Sequence, residues 1–267
     1  MTHIDQTARV AREAELGDDV VVGPYSVIEK GAVIGDRTTI GAHVVIHENT
    51  CIGTDNEIHA GAQLGGRSQT MRRPKEPTYL RIGNGNVIRE FVTMNRGFAD
   101  ETGRTTTVGN DSYFMAYSHV AHDCSIGDRV VMANSVGLAG HVVVEDDSVI
   151  GGLCGVHQFC RVGRLALVGG VSRLVKDAPP FTWVVGNPAE CRGLNTEGLR
   201  RHGFDEEVRR ALKQAYRILF RSGLEVAEAV AAVREQLDGC PEAAYLAEFV
   251  ETSERGVVRG RTPSTGR

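Results

Sequence analysis

The chain has 267 residues and 41% hydrophobic content, enough to bury one substantial core and a small second domain. Its 30 basic and 34 acidic side chains leave a formal net charge of -4, which argues against general nucleic-acid binding, and its six scattered cysteines form no CxxC pair, which argues against a disulfide framework or a zinc ribbon. No basic segment followed by an apolar one opens MTHIDQTARV, and no apolar run reaches the ~18 residues a membrane span needs, so an unanchored cytoplasmic protein without stable membrane insertion is expected.

From the N-terminus an aliphatic residue returns every six positions. Ile4, Val10, Leu16, Val22 and Ile28 set a register that continues to Leu64, resumes at Ile82, Ile88 and Met94, and runs again from Val108 to Leu174. A period of six suits neither an α-helix nor a simple amphipathic meander. It suits a solenoid in which each hexad supplies one short flat strand and a turn, three hexads closing a triangular coil of 18 residues. Assigned in turn to faces A, B and C, the coils begin at residues 4, 22, 40, 58, 88, 114, 132, 150 and 168. The two interruptions, residues 67–81 and 98–107, then leave the same corner, between faces B and C, on successive coils. Loops stacked at one corner of a solenoid are expected to border a site.

The stretch SHVAHDCSIG lies one coil above the second interruption. Counting by hexads puts His122, His141 and His157 on face B of consecutive coils, about 4.8 Å apart, with His119 at the preceding corner. Neutral imidazole suits proton removal near neutral pH, since its ordinary pKa is about 6.5. Asp123 follows His122 directly and is a candidate for fixing its tautomer, provided the backbone bends, because neighbours in an extended segment point apart. Gly140 in LAGH offers a backbone N–H one coil above His122 as an oxyanion donor. No GxSxG elbow is present, which favours direct attack by an acceptor over an acyl-enzyme. A zinc site drafting His119, His122 and His141 is the competing reading, and it requires the imidazoles to converge within roughly 2.1 Å of one point.

After NPAECRG the period changes. From Thr196 onward Phe204, Val208, Leu212, Ala215 and Leu219 recur at helical spacing, GLEVAEAVAAVREQL is a second helix candidate, Pro241 begins a third, and VRGRTPSTGR reads as a frayed tail. The chain is therefore divided into a β-solenoid over 1–190 and a helical part over 191–267. Residues 199–221 carry seven basic against three acidic side chains, either a solvated surface helix or a dock for an acidic partner.

The hexads resemble the hexapeptide-repeat proteins, which implies an all-β left-handed parallel β-helix followed by a small C-terminal α-helical domain. HVAHDCSIG, NSVGLAGHVVVEDDSVIGG, VHQFCRVGRLALVGG and NTEGLRRHGF resemble more closely the UDP-N-acetylglucosamine acyltransferase family of lipid A biosynthesis, over essentially the whole chain. The resemblance implies transfer of an (R)-3-hydroxyacyl group from acyl carrier protein to the 3-hydroxyl of UDP-N-acetylglucosamine (UDP-GlcNAc), by a homotrimer with sites between subunits and with neither metal nor cofactor. It implies His122 as general base, Asp123 as its orienting partner and Gly140 as oxyanion donor, with His119, His141, His157 and Gln158 around the sugar and the reacting acyl group. Asn195, Glu197 and Arg201 fall in the family's nucleotide-contacting segment, and Gly170 falls where a bulkier residue shortens the acyl groove.

Three positions depart from the family pattern. His202 stands in place of a second arginine. In SQTMRR, Thr70 replaces a carboxylate while Gln69 and Arg72 remain, and Asn95 stands where a histidine is common. The last two bear on the acceptor, so N-acylation of a UDP-3-amino sugar competes with O-acylation. The hexads by themselves also suit a γ-carbonic anhydrase-like hydrase or a CoA-dependent hexapeptide enzyme.

Overall fold

A computed structural model describes residues 1–72, 77–98 and 104–260. Residues 73–76 and 99–103 of the two interruptions, and 261–267 of the expected tail, lie outside the described residues.

Nearly every hexad becomes a short strand, most of them two residues long, in which the second residue is the aliphatic one and turns inward. The strands stack into three parallel sheets, which are the three faces. The pairing is strict: Ile4 lies beside Val22, Val22 beside Ile40, and across the interruptions Ile58 pairs with Ile88 and Ile88 with Phe114. Ile28, Ile46, Ile58, Leu64, Ile88, Phe114 and Val120 are buried in one continuous apolar column. The coil winds left-handed. The usual right-handed preference of parallel crossovers arises from strand twist, and two-residue strands carry too little twist to enforce it.

The corners are built from a residue at positive φ, and most of these are not glycine: Arg37 (56°), Asp123 (56°), His141 (58°) and Phe159 (65°) are examples. Such a conformation costs on the order of 1–2 kcal/mol per residue. It turns the N–H of that residue along the solenoid axis, where it donates to the coil below: Arg37 N to Asp18 O (2.8 Å), Arg129 N to Asn110 O (2.8 Å), His141 N to His122 O (3.0 Å). Most of these strained corners are thereby tied to the coil below by a hydrogen bond.

Two further strands, Thr182–Val185 and Glu190–Leu194, extend the face A sheet, the last of them antiparallel. The β-structure therefore continues to Leu194. Helices α1 (Thr196–Arg201), α2 (Glu206–Arg221), α3 (Val226–Gln236) and α4 (Pro241–Glu251) follow. The helical stretch expected from Thr196 onward is divided between α1 and α2, because Gly203 adopts φ +76° and Asp205 caps α2 by accepting from Val208 N at 2.8 Å. Leu199, Leu212, Ala215 and Leu219 pack with Ala229, Val233, Leu246 and Phe249 onto Leu165 and Phe181 of the solenoid, so the helices form a second core seated on its last coils. Arg210, Lys213 and Arg217 lie exposed on the opposite side of α2 at i, i+3, i+7 spacing. Among the described residues no helix is long and apolar enough to cross a membrane.

One polar column runs through this interior. Fully buried Asn86 donates from Nδ2 to Asn56 Oδ1 (3.1 Å) and Gly109 O (3.0 Å), and its Oδ1 accepts from Ser112 N (2.9 Å). Asn86→Ala leaves Gly109 O and Ser112 N buried without these partners, a loss of about 2–3 kcal/mol. Thermal melts should show a clear drop in Tm for this variant and none for Glu13→Ala on the surface.

Candidate active site

The corner between faces B and C carries two vertical columns of side chains. Residues 18 apart occupy equivalent positions, so His122, Gly140 and Gln158 stack in one column and Asp123, His141 and Phe159 in the next. The histidines therefore do not decorate the flat of face B, as expected from the hexad count. His122 and His141 occupy different positions of the turn, and His157 precedes it.

The bent corner resolves the question of adjacent residues. Because Asp123 has positive φ, its carboxylate comes back beside the His122 ring, with Nδ1 to Oδ2 at 3.0 Å. A carboxylate only accepts, so Nδ1 carries the proton and Nε2 is left as the basic atom. Asp123 is held in turn by two groups from the second interruption and its flank: Phe98 N donates to Oδ2 (2.9 Å) and Thr106 Oγ1 accepts from Asp123 N (2.8 Å). The Phe98 ring leans against His122 with centroids 5.7 Å apart. Phe98 and Thr106 were not singled out from sequence, although the position of the interruption pointed to this corner.

Gly140 directly above is what admits the imidazole. A Cβ there would lie 2.5 Å from His122 Cε1 and 2.6 Å from Nε2. Its own N–H has no acceptor among the described residues. His141 meets the His122 ring edge-on at 5.1 Å and stacks on Phe159 at 4.8 Å, with Nε2 3.9 Å from Asp123 Oδ2, so it is packed rather than hydrogen-bonded to the aspartate.

His119 is not at a corner but in the face B strand His119–Val120, with Nδ1 2.7 Å from Thr93 Oγ1. Burial holds its pKa below the ordinary histidine value. Among the described residues, the ligand-type atoms that lie within 4.8 Å of one another belong to His122, Asp123 and His141, so His119 does not converge with the other two histidines drafted for zinc. Cys124 beside the dyad is no nucleophile. Burial pushes its thiol up to about 12, and Sγ donates to Ala139 O.

His157 and Gln158 sit two coils above His122, with His157 exposed and its Nδ1 3.1 Å from Gln158 O. Gln69, Thr70 and Arg72 lie exposed on the first interruption, where the Thr70 hydroxyl donates to Arg72 O at 3.0 Å. Asn95 is buried against Gly66, whose carbonyl accepts from Nδ2 at 3.4 Å. Gly170 lies at the corner between faces A and B, the far edge of face B.

The α1 residues gather elsewhere, by the corner between faces C and A. Asn195 caps α1 through Oδ1, accepting from Gly198 N (3.0 Å), and anchors it through Nδ2, donating to Leu165 O (3.1 Å). Hydrogen bonds from Arg200 and then Arg201 lower the exposed Glu197 carboxyl to about 2. His202 Nε2 lies 3.7 Å from Asp147 Oδ1, and Arg129 donates to the same carboxylate at 2.6 Å. Burial pushes Asp147 upward, but Arg129, with smaller contributions from His202 and Arg164, holds the group below its ordinary value. Within one chain the whole of face C separates this cluster from the His122 corner.

A family model described as UDP N-acetylglucosamine O-acyltransferase, domain 2, matches residues 177–258, and one described as bacterial transferase hexapeptide (six repeats) matches 13–48, 31–66 and 105–140. The chain is 50% identical over 259 residues to the acyl-[acyl-carrier-protein]–UDP-N-acetylglucosamine O-acyltransferase of Thiobacillus denitrificans, covering 97% of this chain and 100% of that protein. It is 47% identical over 263 residues to the protein of the same name from Paraburkholderia phymatum, with 97% and 100% covered. Among solved structures, the UDP-N-acetylglucosamine O-acyltransferase of Moraxella catarrhalis superposes with a TM-score of 0.92 at 40% identity, covering 96% of this chain and 99% of that one. The UDP-N-acetylglucosamine acyltransferase of Francisella novicida gives 0.93 at 36% identity, covering 99% and 95%.

His119 supplies a pH test of this geometry. Its folded pKa lies below the unfolded value of about 6.5, so as pH falls through that value the unfolded chain takes up a proton the folded chain refuses, and stability declines. His119→Gln should therefore lose less Tm than the parent chain between about pH 7 and 5. An imidazole NMR titration placing His119 at or above the free-histidine midpoint would contradict this.

Proposed function

The chain belongs to the UDP-N-acetylglucosamine O-acyltransferase family, and from that premise we propose that it transfers an (R)-3-hydroxyacyl group from acyl carrier protein to the 3-hydroxyl of UDP-GlcNAc, the first step of lipid A biosynthesis. The observation that carries the mechanism is the His122–Asp123 hydrogen bond, which leaves Nε2 as acceptor under Gly140. His122 Nε2 takes the proton of the sugar 3-hydroxyl as its oxygen attacks the thioester carbonyl. The tetrahedral oxyanion forms beside the Gly140 N–H, the C–S bond breaks, and the imidazolium returns its proton to the departing thiolate. Asp123 stays ionised throughout, keeping the proton on Nδ1 and countering the charge on the imidazolium.

The remaining expected site residues take roles consistent with where they lie. His119, His141, His157 and Gln158 surround the sugar and acyl carbonyl, Gln69, Thr70 and Arg72 reach over from the first interruption, and Gly170 borders the acyl groove. Asn195, Glu197, Arg201 and His202 hold the nucleotide. Because face C stands between the two groups in one chain, the complete site draws α1 from another copy, in a homotrimer. The exposed apolar residues Tyr25, Phe91, Tyr117, Leu153 and Val171 along the corner between faces A and B support such an association, since a second copy would cover them. The exposed basic stripe Arg210, Lys213 and Arg217 supports docking of an acidic carrier protein. The same reading carries a cytoplasmic location.

His122→Ala should lower kcat by about 10²- to 10⁴-fold with KM for UDP-GlcNAc little changed. Gly140→Ala should act the same way, because its methyl displaces the ring. Transfer at the parent rate by His122→Ala excludes His122 as the base. Sharing of the site between copies is tested by co-expressing His122→Ala with Arg201→Glu. Mixed oligomers should recover transfer that neither variant performs alone, and no recovery would mean each chain holds a whole site.

A further inference from the structure

On face B the first residue of each strand points outward, and the upper coils place four such residues in strict register: His119 beside Gly137, Gly137 beside Gly155, and Gly155 beside Arg173. Nothing in the fold requires the two glycines. Neither has positive φ, and a Cβ added to either would meet no atom within 4 Å. Glycine within a strand costs roughly 0.5–1 kcal/mol relative to alanine, so a bare strip of backbone here is a property of the surface. The B/C corner with His141 and His157 borders the strip on one side. On the other stand Gly152 and Gly170, beside the exposed apolar side chains of Leu153 and Val171.

Arg173 closes the strip. Its side chain is exposed, and Nε donates to Asn187 Oδ1 at 3.0 Å, which ties the guanidinium to the turn between the last two face A strands. The backbone beneath is fixed as well, Arg173 N donating to Gly186 O and Ala189 N to Arg173 O, both at 3.0 Å. From His119 to Arg173 the strip spans three strand spacings, about 14 Å.

We infer that Arg173, held by Asn187, is a specificity-determining residue that ends the acyl-binding strip on face B and limits the length of chain transferred. This rests on the acyltransferase reading above. An apolar chain lies flat over Gly137 and Gly155 but cannot cover a hydrated guanidinium without stripping its water, so its terminal methyl must stop short of Arg173.

The test offers the full chain UDP-GlcNAc and a ladder of (R)-3-hydroxyacyl carrier proteins of increasing length, with every variant first checked for a parent-like thermal melt. Arg173→Ala should move the optimum to longer chains, with the long-to-short ratio of kcat/KM rising about fourfold for each methylene that gains a buried place. Gly155→Leu is the independent arm. Its side chain enters open space, so the fold is kept, but it fills the strip and should move the optimum to shorter chains. An unchanged ladder in Arg173→Ala overturns the inference, as does a uniform rise in KM at all lengths, which would mark Arg173 as an anchor for an anionic part of the substrate. If the parent chain transfers from no member of the ladder, the acyltransferase reading itself has failed, and the two failures are distinct.

Discussion

The solenoid, and the site on it, depend on the hydrogen bond that most corner residues donate down its axis. The positive-φ residue at a corner is unfavourable on its own, yet that conformation alone aims its N–H at the coil below. Once the corners are held, each side chain has one fixed neighbour above and one below. The interior becomes a column of aliphatic residues, and the exterior becomes a set of vertical ladders whose members are 18 residues apart in uninterrupted stretches.

The site is a consequence of those ladders. His122 keeps its rotamer because the residue above it in the ladder is Gly140, and Asp123 faces His141 because they share the next ladder. The corner conformation also brings two sequence neighbours face to face, which an extended strand forbids. The second interruption, emerging at this corner, then supplies Phe98 and Thr106 to hold Asp123. A candidate base needs a fixed orienting carboxylate, and here the Asp123 carboxylate accepts from the Phe98 backbone N–H while the Thr106 hydroxyl holds the Asp123 N–H.

The helical part solves a different problem. A solenoid ends in an open edge with unpaired strands, and the antiparallel Glu190–Leu194 strand with the helices beyond it packs against that end. Seating the helices there places α1 over the corner between faces C and A, with Asn195 spending both ends of its amide on the cap and the Leu165 carbonyl. A helix fixed in this way presents Arg201 and His202 outward at a constant height, beside the Asp147–Arg129 pair.

Much of the fold was legible in the chain because its period is exceptionally regular. A six-residue repeat leaves one inward position per hexad, so Ile4, Val10 and Leu16 identify three faces, and the two interruptions find their corner by counting, although the strands Tyr79–Ile82 and Thr105–Val108 take up the last residues of the expected 67–81 and 98–107. The neighbouring His122 and Asp123 were also legible as a candidate pair, and the structure brings Nδ1 and Oδ2 to 3.0 Å. Which atoms meet was not legible. Whether His122 lies on a flat face or in a turn depends on where within each hexad the backbone reverses. The hydrophobic period does not locate that point, and only three positions separate His119 on the strand from His122 at the corner. Phe98, Thr106 and the division of the helical stretch at Gly203 depend on packing between segments distant in sequence. By itself the sequence determined the repeat, the faces and the residue types available at the candidate site. Only the tertiary structure decided their orientation, because direction at a corner is set by hydrogen bonds to the coil below, and those partners are not neighbours along the chain.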